Sequence, residues 1–384
     1  MAVSLLGHEV SDLCLGKPAL RSLPVSATVA DALAALKRSG DAYLSVWSCD
    51  HTSKINKSHL EDCRCIGKIC MVDVVCFLCR EDNLSCPSDA LQSPLSLLLP
   101  KVPGLVRHLK PNSRLLEAID LMLEGAQNIV IPIQSRTNPR KKLVPKPSFN
   151  STLHNGVEFC WLTQEDVVRF LLNSIGSFSP LPGLTIESLN IIDTENIPSV
   201  YYHDPASSAL TAISQSLINQ TSVAVLDQEN KLVGEISPFT LACCDETVAA
   251  AIATLSAGDL MAYIDCGGPP EDLVQLVKAR LEERKLGAFL DLMDEEFSYS
   301  SSSSSDEEFG FGRRGGSGKY SARMARRSEA IVCYPWSSLM AVMIQALAHR
   351  VSYVWVIEED WSLAGIVTFS GIFKVFRQHL RTQA

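Results

Sequence analysis

With 384 residues, 46% hydrophobic and 20% charged, the chain has apolar material for two or three domains or a repeat array, and wholesale disorder is excluded. A formal net charge of -9, from 34 Lys and Arg against 43 Asp and Glu, has the wrong sign for broad contact with nucleic acid or an anionic bilayer. The longest uncharged apolar stretch, 247–258, is Ala-rich and shorter than the ~20 residues of a spanning helix, so no membrane partner is expected. Residues 1–7 lack a basic leader and run straight into His8, Glu9 and Asp12, which points to a cytoplasmic or nuclear protein. Thirteen cysteines, an odd number scattered through apparent helices and strands, read as reduced thiols.

One pattern recurs four times along the chain: an amphipathic helix, a short apolar strand, a connection, a second strand and a closing helix. In the first copy Val29, Leu33 and Leu36 share a helical face, followed by strands 43–47 and 67–70 and helix 72–79. The second has Leu115, Ile119 and Met122 before strands 129–133 and 159–163 and helix 165–172. A Pro-rich connector, 177–183, then interrupts helix formation. In the third, Leu210, Ile213 and Leu217 precede strands 222–226 and 231–237 and helix 239–243. The fourth runs from Leu339, Met343 and Ala346 through strands 353–357 and 363–368 to helix 372–377. The units are expected at 11–82, 94–176, 184–246 and 256–379, and each is too small to bury a core alone, so they should pair.

Three insertions interrupt the array. Residues 51–64 and 135–157 are polar and read as surface loops between the two strands of a unit. The third, 266–328, combines a charged amphipathic helix over 271–297 with a Ser/Gly-rich segment expected to be disordered. Within that segment Ser303, Ser304 and Ser305 each have an acidic residue three positions on. This pattern fits regulatory phosphorylation as well as a solvated linker. Cys49, His51, His59, Cys63 and Cys65 fall within 17 residues, but their spacing matches no zinc-finger pattern; they read as a loop with no metal.

The four strand-to-helix corners are the most informative motifs. They stand as Gly67-Lys-Ile-Cys70-Met-Val-Asp73, Cys160-Trp-Leu-Thr163-Gln-Glu-Asp166, Gly234-Glu-Ile-Ser237-Pro-Phe-Thr240 and Gly365-Ile-Val-Thr368-Phe-Ser-Gly371. With the repeated helix-strand pattern they resemble cystathionine-beta-synthase (CBS) motifs, and the four-copy arrangement resembles the plant CBSX-type proteins. It is also similar to the gamma subunits of AMP-activated and SNF1-related protein kinases. The resemblance implies an α/β fold of four CBS motifs paired into two Bateman modules that form a disc. It implies a non-enzymatic regulator that senses an adenosyl ligand, AMP, ADP, ATP or S-adenosylmethionine, with no other cofactor. It also implies a protein partner such as a SNF1-related kinase complex, and is compatible with a homodimer. The family's contacts fall on the corner hydroxyl and carboxylate, here Thr163 and Asp166, Asp73, Ser237 and Thr368, with Arg350 in His349-Arg350-Val351-Ser352 reaching phosphate. Physically, a carboxylate can accept from both ribose hydroxyls, and a guanidinium fork suits phosphate. Ordinary helix capping explains the same corner residues, and the helix dipole explains Arg350, so a ligand-independent scaffold is the alternative reading. No Walker loop, nucleophile elbow or zincin motif is present: 315–320 lacks the first Gly and the Ser/Thr of a phosphate loop.

Overall fold

A computed structural model of the chain describes residues 7–49, 63–133, 153–154, 156–195, 197–265, 269–293 and 329–383. The repeat recurs four times with one element that periodicity does not reveal. Each unit opens with a strand of two or three residues, namely Ser22–Pro24, Val106–His108, Ser199–Tyr201 and Val332–Cys333. Each runs parallel to the strand that follows the first helix of its unit. Those first helices are Val29–Ser39, Leu115–Leu123, Leu210–Asn219 and Leu339–His349. The turn after each is made by a residue in the left-handed region: Gly40 (φ 67°), Gly125 (105°), Gln220 (55°) and Arg350 (55°). A left-handed residue there stops the helix and turns the chain into the sheet.

The middle strands, Leu44–Trp47, Asn128–Pro132, Val223–Leu226 and Tyr353–Ile357, are buried on both faces almost throughout, which is why they read as continuous apolar runs. Each pairs antiparallel with a third strand, Cys65–Ile69, Val157–Thr163, Leu232–Ile236 or Leu363–Thr368. The corner helices Met71–Leu78, Gln164–Asn173, Pro238–Leu241 and Phe369–Gln383 follow.

Two kinds of interface join the units into a ring in the order first, second, fourth, third. Sheets meet within each tandem pair. Trp47 and Cys65 pack on Val130 between the first and second units, and Leu232 N–H donates to the Trp361 carbonyl between the third and fourth. Helices meet between the pairs. Val72 and Val75 share a core with Ile213 and Leu241, and Leu115 and Ile119 share one with Phe373 and Phe376. Ion pairs flank these helical interfaces: Lys37 to Glu246 at 2.8 Å, and a two-pronged Arg377 to Asp120 contact at 2.6 and 3.1 Å.

The chain also exchanges its connecting segments within each pair. Residues before the first unit bridge to the second (Glu9 with Arg114), and those before the second bridge back (Pro94 with Thr28). The third and fourth units repeat this, through Thr185 with Ser338 and Ser256 with Pro205. Residues 184–193, expected at the start of the third unit, are instead built into the fourth, where Asp193 pairs with Ile366.

The Ala-rich stretch is helix Val248–Thr254, with every residue buried. Small side chains let its backbone pass between Met71–Leu78 and the following helices. Arg280 donates to the Thr254 carbonyl at 2.7 Å and Arg284 to that of Ala253, satisfying carbonyls at its C-terminal end. In place of one helix over 271–297 there is Glu271–Glu283, a break at Lys285 (φ 58°) and a second helix from 287. Val274, Val277, Leu281, Phe289 and Met293 bury both in the core of the first and third units. This part of the insertion is structural. Ser303, Ser304 and Ser305, like His51 and His59, lie outside the described residues. Among the described residues no helix is long and apolar enough to cross a membrane.

Candidate functional site

The corners follow from local capping chemistry. Cys70, Thr163, Ser237 and Thr368 each stand at the junction of a third strand and a corner helix, where the first helical N–H groups lack partners. Thr163 and Asp166 form a closed box: the Thr163 N–H and hydroxyl donate to the Asp166 carboxylate at 2.7 and 2.6 Å, and Asp166 N–H donates back at 3.3 Å. Lys17 also donates to that carboxylate. Asp73 accepts from the Cys70 N–H at 2.7 Å, and burial raises its acid above the usual carboxylate range, with that N–H bond and the nearby Lys68 opposing the rise. Ser237 accepts from Phe239 N–H at 3.2 Å and Thr368 from Gly371 N–H at 3.3 Å.

Inside the ring the first three corners and residues 350–353 of the fourth unit open onto one cavity of about 1500 Å³, lined by residues of all four units. This exceeds the roughly 300–1,000 Å³ of most small-molecule pockets. Asp73, Thr163, Ser237 and Arg350 line it, whereas Asp166 and Thr368 do not. Arg350 owes its place to its left-handed conformation at the end of helix Leu339–His349, which delivers residues 350–353 to the wall. Gln127 and Gln220 meet across the ring, the Gln220 amide donating to the Gln127 carbonyl at 3.3 Å.

Lys68 is the wall residue that motif reading misses. Its ammonium donates to Asn128 Oδ1 of the second unit at 2.7 Å and lies 4.5 Å from the Tyr43 ring centroid. Burial lowers its pKa to about 8, with the Cys70 thiol and the Asp73 carboxyl partly opposing the shift. The signal was present in the corner Gly67-Lys68-Ile69-Cys70, where a charge occupies a position that should be apolar. The third corner carries Glu235 at the equivalent position. There the carboxyl group is sealed: Tyr353 Oη and Trp355 Nε1 donate to it at 2.8 and 2.7 Å, and it does not line the cavity. The cavity wall therefore keeps the basic residue of one pair and not the acidic residue of the other.

Two corner glycines answer to the exchanged segments. A Cβ on Gly67 would lie 2.5 Å from Leu99 Cδ2, and one on Gly365 would lie 2.5 Å from Ile192 Cγ2 and 2.7 Å from the Asp193 carbonyl oxygen. These glycines admit a crossing chain.

Comparison with known proteins bears on the same repeats. The chain is 52% identical to the CBS domain-containing protein CBSX5 of Arabidopsis thaliana, over 99% of both chains. It belongs to the CBS domain-containing proteins. A second relative from the same plant, CBSX6, is 27% identical over 97% of this chain and 94% of its own. The SNF1-related protein kinase regulatory subunit gamma-like PV42b, also of Arabidopsis thaliana, is 20% identical over 99% of this chain and 97% of its own. The four-unit ring matches the crystal structure of MJ1225 from Methanocaldococcus jannaschii, a proposed archaeal homolog of γ-AMPK, with a TM-score of 0.53 at 15% identity. That match covers 96% of this chain and 100% of the archaeal one, and it shows the CBS fold. No family model matches the chain. The chain is thus a CBS domain-containing protein, with a more distant similarity to a gamma-like kinase subunit.

Proposed function

We propose that this CBS protein senses a phosphorylated adenosyl ligand in its central cavity and adjusts the activity of a bound partner, a SNF1-related kinase complex. The observation that carries the reading is the wall shared by all four units, with Lys68 from the first and Arg350 from the fourth. Phosphate oxygens satisfy both an ammonium and a guanidinium, which favours AMP, ADP or ATP over the cationic S-adenosylmethionine. A ligand touching several units stabilises one arrangement of the ring, and the partner responds to the difference in its own affinity for the two arrangements. The gamma-like relatives make a kinase the partner to test first.

Calorimetry of the pure protein with each of the four ligands tests the reading. Heat and a raised melting temperature with a nucleotide, both lost in Arg350→Ala, are expected. No heat and no melting shift at millimolar ligand would overturn it. The scaffold reading draws on one specific observation: the Thr163 and Asp166 box is closed by its own backbone and by Lys17. A chain without nucleotide response that still binds its partner is what the scaffold requires.

A further inference from the structure

Cys49 leaves the end of strand Leu44–Trp47, and Cys63 enters strand Cys65–Ile69 fourteen residues later. Just outside the two cysteines Ser48 and Arg64 clamp the chain ends: Ser48 N–H donates to the Arg64 carbonyl at 3.0 Å, and Arg64 N–H donates to Ser48 Oγ at 3.2 Å. The clamp brings the two sulfurs to 3.0 Å. The second unit delivers the third group. His154 lies in the short strand Leu153–His154, paired to Val157–Thr163, with its ring stacked on Trp47 at a centroid distance of 3.5 Å and an interplanar angle of 10°. Trp47 is itself fully buried and anchored by its Nε1–H to Ser45 Oγ at 2.9 Å, so the imidazole plane is set by a fixed wall. His154 Nδ1 stands 3.4 Å from Cys49 Sγ and 3.5 Å from Cys63 Sγ.

We propose that Cys49, Cys63 and His154 are a zinc site that staples the first unit to the second. With Zn–S near 2.3 Å and Zn–N near 2.0–2.1 Å, a tetrahedral ion separates sulfur from nitrogen by about 3.5 Å, the spacing seen here for both pairs. The sulfurs would open from 3.0 Å to about 3.8 Å, a rotamer-scale adjustment. Two thiolates balance the dication, which suits a half-buried place beside an aromatic wall. Thiolate and imidazole donors favour zinc over magnesium or calcium. Three protein ligands leave the fourth position to solvent or another donor. The motif eluded the spacing rules because its histidine lies 91 residues beyond the second cysteine, in another unit.

Zinc and Co²⁺ added to the reduced, chelator-stripped full chain provide the test. One equivalent of Co²⁺ should produce the thiolate-to-cobalt absorption and the visible bands of a tetrahedral site, and Zn²⁺ should displace it. Cys49→Ser and Cys63→Ser should abolish the bands, and His154→Ala should weaken Co²⁺ binding at least tenfold. Should the serine variants fail to fold, alkylation of the wild-type chain remains decisive. Zinc should protect Cys49 and Cys63, while the exposed Cys86 and Cys243 label equally with and without metal. Absence of a stoichiometric cobalt spectrum overturns the site. So does equal labelling of Cys49 and Cys63 in both states, or a Cys49–Cys63 disulfide whose reduced form takes no metal.

Discussion

Lys68 is a cavity-wall residue whose chemistry burial alters. Its ordinary pKa is 10.5 and the fold holds it at about 8, because burial penalises the ammonium more than the neighbouring Cys70 and Asp73 favour it. Below pH 8 both the folded and unfolded chains carry the proton, and the folded chain bears the full cost of a buried charge. Between pH 8 and 10.5 the unfolded chain holds a proton that the folded one has released, so stability rises with pH across that window. Lys68→Met should raise stability at pH 7 by roughly 1 kcal/mol and flatten the rise between pH 8 and 10; urea melts at both ends of the window read this directly. A bound phosphate would push the ammonium back towards its usual range. Between about pH 7, above the phosphate's own second ionisation, and pH 8 nucleotide affinity should therefore be constant, and above pH 8 it should fall with proton uptake on binding, whereas Lys68→Met should lose affinity tenfold or more and the fall above pH 8 with it. A stability and an affinity that both ignore pH from 8 to 10 would refute this account of Lys68.

Among the elements, the corner strands carry the most constraint, and their glycines differ in kind. At Gly67 the added Cβ meets the tip of Leu99, which can rotate; at Gly365 it meets the backbone of Asp193, which is fixed by paired hydrogen bonds to Ile366. Gly365→Ala should therefore cost about 2–3 kcal/mol and Gly67→Ala about 1 or less, measured as the difference between their denaturation midpoints. Equal costs would mean that the exchanged segment at 192–193 yields as easily as a side chain. The same corners explain what could be read without coordinates. Helix faces such as Val29, Leu33 and Leu36, and apolar runs such as Tyr353 to Ile357, carry their periodicity on the surface of the sequence. The opening strands do not, since two or three residues such as Val332 and Cys333 cannot show a period of two. Nor does a corner reveal whether its polar atoms face a ligand. Thr163 and Asp166 match the nucleotide pattern best, yet only Thr163 reaches the cavity wall, while Lys68, outside the pattern, stands beside it.

For the whole molecule, the decisive fact is that the two kinds of interface run crosswise. Sheets tie the first unit to the second and the third to the fourth, while the helical cores join the first to the third and the second to the fourth. Neither tandem pair can leave without stripping two buried helical faces, and neither helical pair can leave without parting the sheets, so partial unfolding exposes apolar surface at either cut. A chain of this length commonly unfolds in stages. Crosswise bonding predicts a single transition here. Glu235 supplies the probe, because it is buried at the sheet interface of the third and fourth units with Tyr353 and Trp355 donating to it. Glu235→Ala leaves two buried donors without that acceptor and should cost about 3 kcal/mol. If the ring is one cooperative body, urea melts followed by tryptophan fluorescence and by far-ultraviolet circular dichroism should coincide in the parent chain. In Glu235→Ala both curves should move together to lower urea, although the altered residue touches only one of the four interfaces. A biphasic melt in which only the lower transition moves would show that the third and fourth units unfold as a separate half.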